Sequence, residues 1–316
     1  MRGRRTLLKS AAVLGVAACV LAGAPSAIGT AKLPTPGTAT QVAALVAASS
    51  SITSLPKYLL PPLGQAGSDT PGAYYPKAMH RCLTLSQCVF GDRAAKRTIV
   101  LFGDSHAQMW LPALVPVART LGYRFVLVWE PGCPSATIDV WDGATHSTNV
   151  QCNTWRAQAI VAIRRRAPAL VLLASRTSDI PGAGNVPTSD AAWQAGLETT
   201  IAALRTATTK VAVVGDVTVF SPKVLPQCLA AYPTAVQSCS VSNPNGKTRQ
   251  HFAAERAAAS AEHVPYVNPR KWLCTAVCSP VIGTMVAYFD TFHVTATYAE
   301  YLSGVWLAAI RPLVRR

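Results

Sequence analysis

The pattern that most restricts what this chain can fold into is an alternation, from residue 98 onward, of short apolar runs with longer helical stretches. The runs at 98–102, 125–128, 170–174, 211–214 and 265–267 are apolar or β-branched at nearly every position. Continuous runs of this kind belong to strands covered on both faces. Helical candidates at 107–121, 154–166, 190–207, 247–263 and 295–310 separate or follow them. The expected fold class is therefore α/β, a three-layer α/β/α domain around a five-stranded, mainly parallel sheet of flavodoxin-like type. A chain of 316 residues, half of them hydrophobic, can bury a core of that size.

The first 80 residues have a different character. Residues 1–30 begin with Arg2, Arg4 and Arg5, continue through a short, weakly apolar run at 11–24, and end among small residues, the pattern of an export signal rather than a spanning helix. Arg4-Arg5-Thr6-Leu7-Leu8-Lys9 resembles a twin-arginine signal, which implies export in the folded state. Val16-Ala17-Ala18-Cys19 resembles a lipobox, which would make Cys19 a lipid anchor; the alternative is that Cys19 is a small apolar residue of the signal. Residues 31–80 read as a linker and an N-terminal extension packed on the domain at 81–316, with one helical candidate at 40–48 and a proline-rich arm at 55–63.

The net charge of +15 looks at first like a nucleic-acid signal. Setting the four basic residues of the signal aside leaves 25 basic against 14 acidic residues, a net of +11. The remainder is scattered apart from Arg164–Arg166, and no basic stretch is interleaved with aromatics, so nucleic acid is not an expected partner. The charge suits anionic polymer or lipid headgroups of a cell envelope.

Apart from Cys19, the chain carries Cys82, Cys88, Cys133, Cys152, Cys228, Cys239, Cys274 and Cys278. An even number in an exported chain points to disulfides. The economical choice among the pairings open to eight cysteines is local: 82 with 88, 133 with 152, 228 with 239, and 274 with 278. The rival reading is zinc, but Cys274-x3-Cys278 has no second pair at finger spacing, so no metal and no cofactor are expected.

Two segments carry candidate chemistry. In the first, the 98–102 run breaks at Gly103-Asp104-Ser105-His106 before a helix, which puts the Ser105 hydroxyl at the crevice end of a strand. In the second, Asp290-x-x-His293 stands just before the last helix. A serine hydroxyl attacks well only when an imidazole takes its proton, and the imidazole needs its other nitrogen oriented by a carboxylate. Asp290 and His293 supply orienter and base. Taken singly, Ser105 could equally be a helix cap, Asp290 a turn residue and His293 a surface histidine.

Together, Gly103-Asp104-Ser105-His106-Ala107 and Asp290-x-x-His293 resemble the first and last motif blocks of the SGNH/GDSL hydrolase superfamily. More narrowly, the chain is similar over residues 55–314 to the extracellular SGNH domain of acyltransferase-3 type O-acyltransferases. That likeness also rests on Trp110 and Pro112, Cys133-Pro134 with Cys152 and Trp155, Leu172-Leu173-Ala174-Ser175-Arg176, Cys228-Leu229, and Leu273-Cys274 with Cys278. The resemblance implies Ser105 as nucleophile, His293 as base and Asp290 as its orienter. It implies the Ser105 N–H and Gly132 as oxyanion donors. The superfamily's asparagine donor is absent: Ser175-Arg176-Thr177-Ser178-Asp179 follows the third apolar run, and Ser175 or Arg176 takes over its polar contacts. Asp104 and His106 read as structural residues of the turn.

The function expected from these features is an exported serine esterase or O-acyltransferase. It would act through a Ser105 acyl-enzyme on O-acyl groups, O-acetyl above all, of a cell-envelope glycan or glycolipid. An acylated carbohydrate is the expected partner as substrate, and a membrane acyltransferase the partner that the resemblance implies. The alternative reading is a catalytically weak glycan-binding or accessory module that retains the fold.

Overall fold

The structure, a computed structural model, describes residues 35–178, 180–244 and 249–315. The expected export signal, its arginine pair and Cys19 lie outside the described residues. The central sheet has six strands: β1 (Val89–Gly91), β2 (Thr98–Gly103), β3 (Arg124–Trp129), β4 (Leu170–Ala174), β5 (Lys210–Val214) and β6 (Tyr266–Val267). Their spatial order is β1-β3-β2-β4-β5-β6. All neighbours are parallel except β1, which runs antiparallel to β3 at the edge. The five expected strands are all present. The sixth, β1, has only three half-buried residues and leaves no apolar run for a sequence to display.

Strand residues go alternately into two cores, one on each face. Ile99, Leu101, Leu170, Leu172, Ala212 and Val214 enter the first, and Val100, Phe102, Val171, Leu173, Val211 and Val213 the second. This double burial is why the strands read as continuous hydrophobic runs. The helices that frame the sheet and the site are, in chain order, α1 (Ala39–Ser49), α2 (Ser105–Gln108), α3 (Leu111–Thr120), α4 (Val150–Arg166), α5 (Asp190–Leu204), α6 (Arg249–Ala261), α7 (Ala296–Tyr301) and α8 (Ser303–Val314); a seven-residue helix at Leu225–Ala231 and several single turns lie between them. Residues of α1, α3 and α8 cover the first face; α4, α5 and α6 cover the second. Trp306 of α8 packs edge-on against Trp110 and Trp272, centroids 5.2 and 5.0 Å away, tying the last helix to the segment that follows Ser105.

Two helix expectations are corrected. The stretch at 107–121 is split into α2 and α3, because Pro112 in the first turn of α3 has no N–H to continue an earlier helix and instead opens a new one. The stretch at 295–310 is likewise two helices meeting at Leu302. The proline-rich arm runs across the domain, with Leu60 bridged to Met285. All four disulfides pair as expected, 82 with 88, 133 with 152, 228 with 239 and 274 with 278. No helix among the described residues is long and apolar enough to cross a membrane.

Candidate active site

The site is assembled at the carboxyl ends of β2, β4 and β5. Strand β2 ends at Gly103, which lies beside Ala174 of β4. A Cβ at Gly103 would run into the Ala174 carbonyl oxygen, so the close approach of the two backbones requires glycine here. Gly103→Ala is accordingly expected to push β2 and β4 apart and displace the turn that carries Ser105. A displacement of about 1 Å costs catalysis on the order of 10²-fold. Steady-state turnover measured beside a thermal melt checks this, since loss of activity should exceed any loss of fold.

Asp104 is fully buried and caps α2: its carboxylate accepts the His106 N–H at 2.8 Å and the Arg176 N–H at 3.0 Å. Burial pushes its carboxyl up to about 6, against the His106 charge and those two donors. The turn is thus pinned to the end of β4, and Ser105, half-buried, begins α2.

The second block is a tight loop closed by its own backbone, with Phe289 N–H on the His293 carbonyl at 3.0 Å and Tyr288 bridged to Val294. Inside it, Asp290 Oδ1 accepts the N–H groups of Phe292 and His293, at 2.8 and 2.7 Å. Asp290 Oδ2 lies 2.6 Å from His293 Nδ1. Because that oxygen can only accept from the imidazole, Nδ1 carries the proton and Nε2 keeps its lone pair. Burial would raise Asp290, but the hydrogen bonds from His293 and the backbone outweigh it and hold the carboxyl below its ordinary value. His293 itself is held below the ordinary histidine value, by burial first and then by the charge of His106, despite the opposing pull of Asp290. Phe289 stacks on its ring, centroids 5.2 Å apart and 7° from parallel, and Phe292 packs edge-on at 4.5 Å.

The two blocks meet. The His106 ring lies 4.9 Å from His293 and 5.4 Å from Phe292. Arg176 reaches over the same Phe292 ring at 4.9 Å and donates Nε–H to the Ser178 carbonyl at 2.7 Å. Ser175 points elsewhere: its Oγ accepts the Ser135 N–H at 2.8 Å, tying the end of β4 to the loop after β3. Gly132 stands exposed in a left-handed turn of that loop, φ +66°, with no hydrogen bond to the Ser105 turn among the described residues.

One residue of this cluster was not singled out from sequence. Asp216, fully buried at the end of β5, lies with Oδ1 2.5 Å from His106 Nδ1. The signal was present: Gly215-Asp216 follows an apolar strand in the same way as Gly103-Asp104, and both aspartates are fully buried.

Comparison with known proteins fits this geometry. The family model for the SGNH domain, described as fused to AT3 domains, matches residues 73–308. The chain belongs to the SGNH family. It is therefore an enzyme of carboxylic ester chemistry, and the matched span includes both the Gly103-Asp104-Ser105-His106 turn and the Asp290–His293 pair, which the fold brings together through the His106 and His293 rings. Among solved structures, the periplasmic domain of the lipopolysaccharide acetyltransferase of Salmonella ser. Paratyphi A is 17% identical, with a TM-score of 0.57 over 76% of this chain and 97% of that one. The inhibitor-bound M. smegmatis aryl esterase is 14% identical, with a TM-score of 0.42 over 69% of this chain and 99% of that one. No curated protein matches the SGNH chain in sequence.

Proposed function

We propose that this SGNH chain is an exported serine esterase or O-acyltransferase that acts on O-acyl groups, O-acetyl above all, of a cell-envelope glycan or glycolipid. The observation that carries the reading is the meeting of the two blocks: His293, paired through Nδ1 with Asp290, packs on the residue next to Ser105. Four disulfides support an oxidising, extracytoplasmic compartment for it. The described fusion of this domain type to AT3 domains favours a membrane acyltransferase as its partner.

In the reaction, Ser105 Oγ attacks the acyl carbonyl carbon while its proton passes to His293 Nε2, and Asp290 stabilises the imidazolium. The oxyanion is met by the Ser105 N–H, with the N–H of Gly132 and the Arg176 side chain as the further donors proposed for it. Collapse breaks the ester C–O bond, and the leaving sugar hydroxyl takes the proton from His293. The acyl group is left on Ser105. Water or a second sugar hydroxyl, deprotonated by His293, then attacks the acyl-enzyme and releases acid or a newly acylated glycan together with free Ser105.

The direct test is to treat the protein with a serine-reactive fluorophosphonate and locate the adduct by peptide mass spectrometry, alongside hydrolysis of a short acetyl ester. An adduct on Ser105 with turnover is expected. A protein that neither labels nor turns over would be the weak glycan-binding module instead. Adding soluble sugar acceptors separates the two catalytic outcomes: acylated sugar marks a transferase, free acetate alone an esterase. Turnover also has a pH signature. Only neutral His293 is a base, so kcat/KM falls as pH drops through its titration. Because burial and the His106 charge hold His293 below the ordinary 6.5, the acid limb is expected below that pH.

A further inference from the structure

A second buried histidine–carboxylate pair, His106 with Asp216, lies beside the first and takes no part in the proton transfers between Ser105, His293 and the substrate. We propose that His106 is a positioning residue for His293: held as an imidazolium by Asp216, it packs against the base and keeps it neutral. This rests on the reading of Ser105 and His293 as nucleophile and base.

His106 is 1% exposed and fixed from two directions. Its backbone N–H is bound by Asp104 at 2.8 Å, and its Nδ1 lies 2.5 Å from Asp216 Oδ1. Asp216 is itself locked: Oδ2 accepts the N–H and the hydroxyl of Thr177, at 2.9 and 3.1 Å, and Oδ1 accepts the Val217 N–H at 2.7 Å. A carboxylate with this many donors stays ionised and draws a proton onto the imidazole facing it. Four titratable or charged groups act on His106 among the described residues. Asp104 on its own turn and Asp216 after β5 favour the charged ring. Arg176 after β4 and His293 on the loop before α7 oppose it. Burial lowers His106, yet the two carboxylates outweigh it and hold the group above its ordinary value. Behind Asp216, Glu255 of α6 accepts the Asp216 N–H at 3.1 Å; burial, and then the charge of Asp216, raises Glu255 well above its ordinary value.

The consequence is a like-charge constraint. With a positive ring 4.9 Å away, a second proton on His293 is disfavoured, while Asp290 still orients its Nδ1–H. Two histidines of identical chemistry are thus divided, one charged and structural, the other neutral and reactive, by their different carboxylates and by each other.

The test is the pH profile of kcat/KM for a soluble acetyl ester in wild type and in His106→Gln, which removes the charge and can still donate to Asp216. The acid limb is expected to move up by about one pH unit, the low end of what a charge at this range produces. Asp216→Asn, which releases the His106 proton, should move the limb in the same direction but by less, because the direct upward pull of Asp216 on His293 is lost with it. An unmoved limb in a folded variant overturns the proposal, as does uniform loss of activity at every pH. A second readout needs no turnover and no substitution. In ring-labelled wild type followed by NMR at pH 7, both nitrogens of His106 should carry protons and His293 only one. A neutral His106 there overturns the proposal even if Ser105 is the nucleophile, whereas a charged His106 in a protein without ester turnover leaves the pair standing and removes the catalytic reading.

Discussion

Replacing Ser105 with alanine is expected to lower turnover of a short acetyl ester by about 10⁶-fold and to abolish fluorophosphonate labelling, leaving the residual rate that binding and oxyanion contacts supply without a nucleophile. The size of the loss matters less than its lack of additivity. Ser105 and His293 act as a unit, because the imidazole accelerates nothing once it has no hydroxyl to deprotonate. A Ser105→Ala/His293→Gln double variant should therefore be within a few-fold of Ser105→Ala alone, as for catalytic groups that act together. If the double variant falls much further, His293 serves some purpose other than activating Ser105, and water attack assisted directly by the histidine becomes the better mechanism. The fold should survive both changes: Ser105 is half-buried at the first position of a one-turn helix whose cap is Asp104, and the cap is untouched.

How much of this could be read beforehand depends on whether a feature is local. The buried strands announce themselves because both faces of each are covered, and the cysteine pairs because each closes a short loop. Ser105, Asp290 and His293 are legible by residue type and by the strand or helix they adjoin. The edge strand Val89–Gly91 is not, since three half-buried residues make no pattern. Asp216 shows the deeper limit. His106 follows β2 and Asp216 follows β5, and they meet only because the sheet places β4 between them and brings three strand ends to one point. Sequence supplies strands but not their order, so a Gly-Asp after a strand reads as an ordinary turn. The same limit applies to Ser175 and Arg176: they occupy the expected place after β4, but only the structure shows that Ser175 turns to Ser135 while Arg176 reaches the ring of Phe292.

Asp290→Asn should cost about 10⁴-fold in turnover without costing the fold, and the reason lies in which atom faces which. Asp290 Oδ1 receives two backbone N–H groups, from Phe292 and His293, and only an oxygen can serve there. An asparagine must therefore keep its carbonyl on that side and turn its amide toward His293 Nδ1. The imidazole then has to accept, its proton shifts to Nε2, and the nitrogen meant to deprotonate Ser105 is no longer a base. Ring orientation is preserved meanwhile by Phe289, stacked 7° from parallel, and the loop keeps its backbone closure through the His293 carbonyl. A variant that melts close to wild type, retains the His293 ring position and loses four orders of magnitude in kcat assigns the loss to the tautomer. A loss below about 10-fold would mean that Asp290 merely shapes the loop, and would withdraw it from the mechanism while leaving Ser105 and His293 in place.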